Sequence, residues 1–320
     1  MQINRRDFMT SSLIAAAGLT NTLGTIASVA NEKGDKFPII DAHTHFYDPS
    51  RPEGIPWPSK EDSALYRTVL PPEFRRATAP YGVTGTVIIE ASPWVEDNQW
   101  LLDLADGDPF VAGIVGNLSP GEESFGKLLT RFSKNPLYRG IRIGSDLLAH
   151  GLEKPSFLAD LRKMNDADLQ LDVNGGIESL PLVDRLAKLL PDFRIAINHL
   201  ANVRIDGKEP PAEWSRGLKD CAAHQNVFLK VSALTEGART AEHQPPVETE
   251  YYRPILETAW KTFGEDRLIY GSDWPVSDRA APYKVVIQIV REFFRDKGQT
   301  ATEKFFAKNA TVAYGLRART

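Results

Sequence analysis

Three histidines and one aspartate carry the chemistry that this sequence most readily suggests. His43 and His45 close a short apolar run at 38–42. Alternate residues on a strand share a face, so their α-carbons lie roughly 6.6 Å apart, close enough for two imidazoles to reach one cation. An isolated His-x-His is as readily a pair of strand-end histidines bonded to their neighbours. His199, at the end of a second apolar run, and Asp273, just after a third, change the balance, because zinc and manganese accept both imidazole and carboxylate donors. A cation on His43, His45, His199 and Asp273 would polarise a carbonyl oxygen and bring the pKa of bound water towards about 7, with Asp273 taking the proton.

Other side chains join as contacts to a substrate. Arg142 offers a permanently charged planar fork to a carbonyl or carboxylate. Lys230 either touches the substrate or pairs with Glu90 or Asp172. Trp274, Trp94 and Trp57 are candidate pocket walls, and His243 lies on a loop from which it could reach the substrate. His150 and His224 read as solvated or capping residues.

These residues meet only if the chain brings distant strand ends together. Eight apolar, β-branched runs recur at 38–42, 84–91, 110–118, 138–143, 169–173, 193–198, 227–232 and 267–271, separated by segments of helical spacing. Leu180, Leu182, Val183, Leu186, Leu189 and Leu190, stopped by Pro191, exemplify that spacing. Strands alternating with helices predict a parallel α/β sheet, and eight of them predict a (β/α)8 TIM barrel as a single domain after an N-terminal signal. In such a barrel the active site forms at the C-terminal strand ends, where His43, His45, Glu90, Arg142, Asp172, His199, Lys230 and Asp273 fall. Segments 47–72 and 235–249 read as long loops.

Composition narrows the partners. With 320 residues, 42% hydrophobic, and a formal net charge of -4 without a long basic run, the chain suits a small-molecule substrate rather than nucleic acid or an anionic membrane surface. A single cysteine, Cys221, in an expected helix at 217–224, excludes an internal disulfide framework and a cysteine-rich zinc module. Arg5 and Arg6 precede a weakly apolar stretch at 13–29 that ends with Ser28 and Ala30. Residues 1–30 therefore read as a signal resembling the twin-arginine type, with the export machinery as a transient partner and 31–320 as a periplasmic domain. Thr20, Asn21 and Thr22 interrupt the stretch, so it makes a poor membrane span, and no stable membrane insertion is expected once the signal is cleaved. A retained anchor is the alternative, and self-association is left open.

Five segments resemble successive motifs of the amidohydrolase superfamily. They are Asp41-Ala42-His43-Thr44-His45, Arg139-Gly140-Ile141-Arg142, Ile197-Asn198-His199-Leu200, Val227-Phe228-Leu229-Lys230-Val231-Ser232, and the stretch from Arg267 through Gly271-Ser272-Asp273-Trp274-Pro275-Val276. The similarity is greatest to the amidohydrolase-2 branch of TIM-barrel hydrolases, with its fuconolactonase-like, sulfomuconolactone and pyrone-dicarboxylate enzymes, and runs collinearly from Ile39 to about Leu316.

The resemblance implies that His43 and His45 are strand-one ligands, that His199 faces metal or substrate, that Asp273 is the acid/base and that Arg142 contacts the substrate. Binuclear members of the superfamily place a carboxylated lysine or glutamate on strand four and a histidine on strand five. Here Ile141-Arg142-Ile143 and Leu171-Asp172-Val173 stand instead, leaving one divalent cation or a metal-free variant in which arginine polarises the carbonyl. The activity so implied is opening of a lactone, of a sugar acid or a carboxylated lactone. A metal-dependent decarboxylase of an unsaturated or aromatic acid is the alternative, and a silent binding protein on the same barrel a third.

Overall fold

The computed structural model describes residues 37–240 and 243–317. The expected signal at 1–30 lies outside these residues. Eight parallel strands follow one another around a nearly closed barrel: β1 (Ile39–Thr44), β2 (Val83–Ile89), β3 (Val111–Gly116), β4 (Tyr138–Gly144), β5 (Gln170–Asn174), β6 (Ile195–Ile197), β7 (Val227–Val231) and β8 (Leu268–Tyr270). Each matches one of the eight expected runs, and the architecture is that of a TIM barrel. Among the described residues no helix is long and apolar enough to cross a membrane.

The alternation along β7 explains how one strand serves two layers. Val227, Leu229 and Val231 point outward into the core beneath the helices, whereas Phe228 packs with Ala42, Val87, Ile269 and Tyr314 inside the barrel. Helices cover the outside through apolar stripes of helical period. Tyr283, Val286, Ile287, Val290, Phe293 and Phe294 are the buried face of the Tyr283–Arg295 helix. The expected leucine-rich helix spans Leu180–Leu189, and Cys221 is buried in Ala212–Ala222. The region expected as an irregular loop from 235 begins instead with a short helix, Leu234–Ala238.

Closure between β1 and β8 is made by the residues just past the end of β8. The Asp273 amide donates to the His43 carbonyl (2.9 Å), and the His45 amide to the Trp274 carbonyl (2.9 Å). Asp41, fully buried, accepts through one carboxylate oxygen from the amides of His43 (3.2 Å) and Ser272 (2.9 Å), and through the other from the Tyr283 hydroxyl (3.2 Å). Gly271 makes the approach of the two chains feasible, since a Cβ there would stand 2.7 Å from the His43 Cβ.

Candidate active site

The barrel's closing seam is also where the ionisable residues gather. His43, His199 and Asp273 each present a buried ligand atom within 4.8 Å of the other two. Asp273 Oδ1 lies 3.4 Å from His43 Nε2, 3.2 Å from His45 Nε2 and 4.0 Å from His199 Nε2. His45 falls outside the compact trio, although it touches Asp273. The β1–β2 ladder shifts register between Asp41 and Thr44, a local irregularity of the kind that re-aims strand-end side chains.

Two backbone features hold the other half of the site. Asp273 adopts φ +64°, and at the end of β6 four successive residues, His199, Leu200, Ala201 and Asn202, form a left-handed turn with φ between 45° and 55°. Each such L-residue is disfavoured by about 1–2 kcal/mol, so the turn persists only because its surroundings fix it. The Trp214 indole donates to the Leu200 carbonyl (2.7 Å), and the Asn202 amide to Asn174 Oδ1 (3.2 Å) and the Gly175 carbonyl (2.9 Å). His199 itself is oriented by its Nδ1 contact to Ser232 Oγ (2.9 Å).

Electrostatics keep the imidazoles neutral. Burial, followed by the positive charges of Lys230 for His43 and Arg142 for His199, holds both well below the usual histidine range. Burial and then Arg142 bring His45 down to about 3. The Asp273 carboxyl moves the other way, up to about 7, because burial outweighs the pull of Arg142, Lys230 and Arg279. His45 Nδ1 must donate to the Ile89 carbonyl (3.0 Å), so its Nε2 carries a lone pair facing Asp273 Oδ1. Only a proton or a cation between those two atoms makes the contact favourable. His43 Nε2 is also buried and without a hydrogen-bond partner among the described residues; because the Lys230 ammonium can only donate to His43 Nδ1, Nε2 carries the imidazole proton until a cation takes its place. These atoms fit a divalent cation, with His43, His199 and Asp273 as its holders and His45 alongside.

Lys230, expected either among the substrate contacts or in a pair with an acid, is fully buried and is not among the residues lining the cavity over the centre. It lies inside β7 on the same face as Phe228, where it donates to Asp172 Oδ2 (2.7 Å) and contacts His43 Nδ1 at 3.1 Å. Asp172 also accepts from the Tyr314 hydroxyl (3.0 Å), so the lysine supports His43 from behind. Glu90 pairs instead with Arg142, receiving its Nε at 2.7 Å on the side chain and its Nη2 at 2.8 Å on the backbone carbonyl. Trp274 is packed against Phe46 and Phe74, away from the pocket. His243 is exposed and bonds with Thr240, so the structure does not bring it to the centre.

A cavity of about 490 Å³ opens over the centre, lined by His45, Trp57, Glu90, Arg142, His199 and Asp273 among others. Sequence reasoning missed Glu236. Its Oε2 accepts from Thr235 Oγ1 (2.8 Å), while its buried Oε1 has no hydrogen-bond partner among the described residues; burial and then the Asp273 charge hold the carboxyl well above the usual carboxylate range. Its signal was an acid four residues past Ser232, hidden in a segment read as loop.

A barrel whose strand ends bring neutral histidines and a high-pKa carboxyl to one point, beneath an arginine, defines the class of TIM-barrel hydrolases with a histidine-aspartate centre. The sequence pattern of the Amidohydrolase family matches residues 40–316. The chain belongs to that family.

An L-fucono-1,5-lactonase from Burkholderia ambifaria is 32% identical over 246 residues, covering 76% of this chain and 82% of the relative. An amidohydrolase from Burkholderia multivorans solved with bound zinc has a TM-score of 0.77 at 23% identity, covering 87% of this chain and 99% of the other. A probable 2-pyrone-4,6-dicarboxylic acid hydrolase from Acinetobacter baumannii, with citric acid bound, has a TM-score of 0.64 at 19% identity, with coverage of 87% and 99%.

Proposed function

We propose that this chain opens a lactone ring by hydrolysis, with a sugar-acid or carboxylated lactone as substrate. The observation that carries the reading is Asp273: a buried carboxyl held at about 7 beside three neutral imidazoles, under Arg142 at the cavity wall. The similarity to the B. ambifaria lactonase supports the choice of a lactone over other carbonyl substrates.

The residues divide the work as follows. Arg142 is braced by Glu90 through Nε and Nη2, which leaves Nη1 to polarise the lactone carbonyl or hold a substrate carboxylate. Asp273, as carboxylate, takes a proton from water while the water oxygen bonds to the carbonyl carbon. The ring C–O bond then breaks, and Asp273 returns the proton to the departing alkoxide. Glu236 is a neighbouring carboxyl whose protonation is tied to the Asp273 charge. Bound zinc or manganese on His43, His199 and Asp273, with His45 adjacent, would supply Lewis acidity and a more acidic water.

Asp273→Asn is expected to lower kcat/KM for every accepted lactone by about 10²–10⁴-fold, read as base uptake in a pH-indicator assay. Full retention of hydrolysis would remove Asp273 from the mechanism. Release of carbon dioxide from an unsaturated acid, with no lactone opened, would favour the decarboxylase reading.

A further inference from the structure

The space over the catalytic centre continues beyond what a neutral sugar lactone needs. On the β6 and β7 side, a second recess of about 290 Å³ shares His199 with the main cavity and is lined by Arg204 and Glu236. A third, of about 570 Å³, shares Val276 with the main cavity and is walled by Arg204, Glu236, Arg239, Thr240, Val276 and Arg279. Three arginines from the loops after β6, β7 and β8 thus face one recess that adjoins the reacting atoms.

The charge there is only partly cancelled from within. Arg204 and Arg239 form no ion pair among the described residues; Arg204 Nη1 donates instead to the Arg239 carbonyl (2.5 Å), which fixes the two together and leaves other guanidinium donors unused. Arg279 is held by Asp62. Glu236, the single acid in the wall, is engaged through Oε2 by Thr235. In a chain of net charge -4, such a concentration of positive charge is a local reversal. Guanidinium forks pair with carboxylate and phosphate oxygens in two-point contacts, and several converging on one recess act together where one exposed pair would contribute little.

We propose that Arg204, Arg239 and Arg279 form an anion subsite that takes a carboxylate or phosphate on the part of the lactone remote from the reacting carbonyl. The proposal deepens the lactonase reading and rests on it for the reaction, but not for binding. It makes the enzyme selective for acidic lactones over neutral ones of the same ring size, and makes that selectivity weaken as salt rises.

The test compares gluconolactone, glucaric acid monolactone and phosphogluconolactone in kcat/KM, and the corresponding open acids in calorimetric binding. The native enzyme is expected to favour an acidic lactone at least tenfold, mainly through KM. Arg204→Ala combined with Arg239→Ala should reduce that ratio about tenfold, and the double lysine variant should restore part of it. A preference for the glucaric or the phosphorylated compound identifies the anion as carboxylate or phosphate.

Equal kcat/KM for neutral and acidic lactones, or an unchanged ratio in a folded double alanine variant, overturns the subsite. If no lactone is opened while the acidic products still bind in an arginine-dependent way, the subsite stands and the lactonase reading falls.

Discussion

His45 Nε2 and Asp273 Oδ1, 3.2 Å apart, set the proton inventory of the site. Because the imidazole is neutral, the proton between them belongs to the Asp273 carboxyl, whose pKa burial brings up to about 7. Asp273 works as a base only when ionised, so in metal-free protein kcat/KM should fall as pH drops through about 7 and level off above it. Zinc or manganese beside the same oxygen favours the carboxylate and should move that limb to lower pH. A pH-rate profile taken before and after metal loading checks both statements, and a limb that stays in place would separate Asp273 from the cation. His43, His45, His199, Asp273 and Arg142 were legible as candidate site residues because each stands at or near the end of an apolar run. The position of Lys230 depends on which face of β7 points inward and on which acid waits across the barrel. Neither is written in local sequence.

The left-handed turn at His199–Asn202 is the element on which the site most depends. Its conformation is opposed by chain sterics and maintained by side chains from outside, chiefly the indole of fully buried Trp214. Trp214→Phe keeps most of the apolar volume but leaves the Leu200 carbonyl without its donor. An unsatisfied buried acceptor costs about 1–3 kcal/mol, so the variant should lose that much stability in urea titrations. Activity measured well below its unfolding temperature should also fall, because the turn carries His199; unchanged kcat/KM in the destabilised variant would detach the turn from catalysis. Nothing in Asn198-His199-Leu200-Ala201-Asn202 announces four left-handed residues, since no glycine marks them. The strands were readable for the opposite reason: continuous Val, Ile and Leu belong to a sheet buried on both faces. Glu236 escaped notice with its helix, Leu234–Ala238, which is too short to show a period.

For the molecule as a whole, Asp41 ties acidity to the integrity of the barrel. Its carboxyl, raised by burial to about 6, lies above the ordinary aspartate value, so the folded state favours the protonated form. The stability this contributes is fully present below the unfolded value near 4 and is lost as pH rises through about 6, an amount of order 3 kcal/mol. Asp41→Asn cannot ionise and should gain relative to the native protein between pH 4 and 7, by urea denaturation at several pH values. A difference between the two proteins that does not vary with pH would mean that Asp41 keeps an ordinary pKa. Eight strands in order could be read from the sequence, yet the seam could not, because its long-range bonds join residues 229 to 242 positions apart.

That separation has a kinetic meaning. Contacts between distant parts of a chain form late, after the entropy of closing the intervening loop has been overcome. The last strand to dock brings Asp273 to His43 and His45, so a refolding chain has no catalytic power until the ring is complete. Recovery of activity after dilution from denaturant therefore acts as a clock for the final long-range step, and it should lag behind the return of helical circular dichroism.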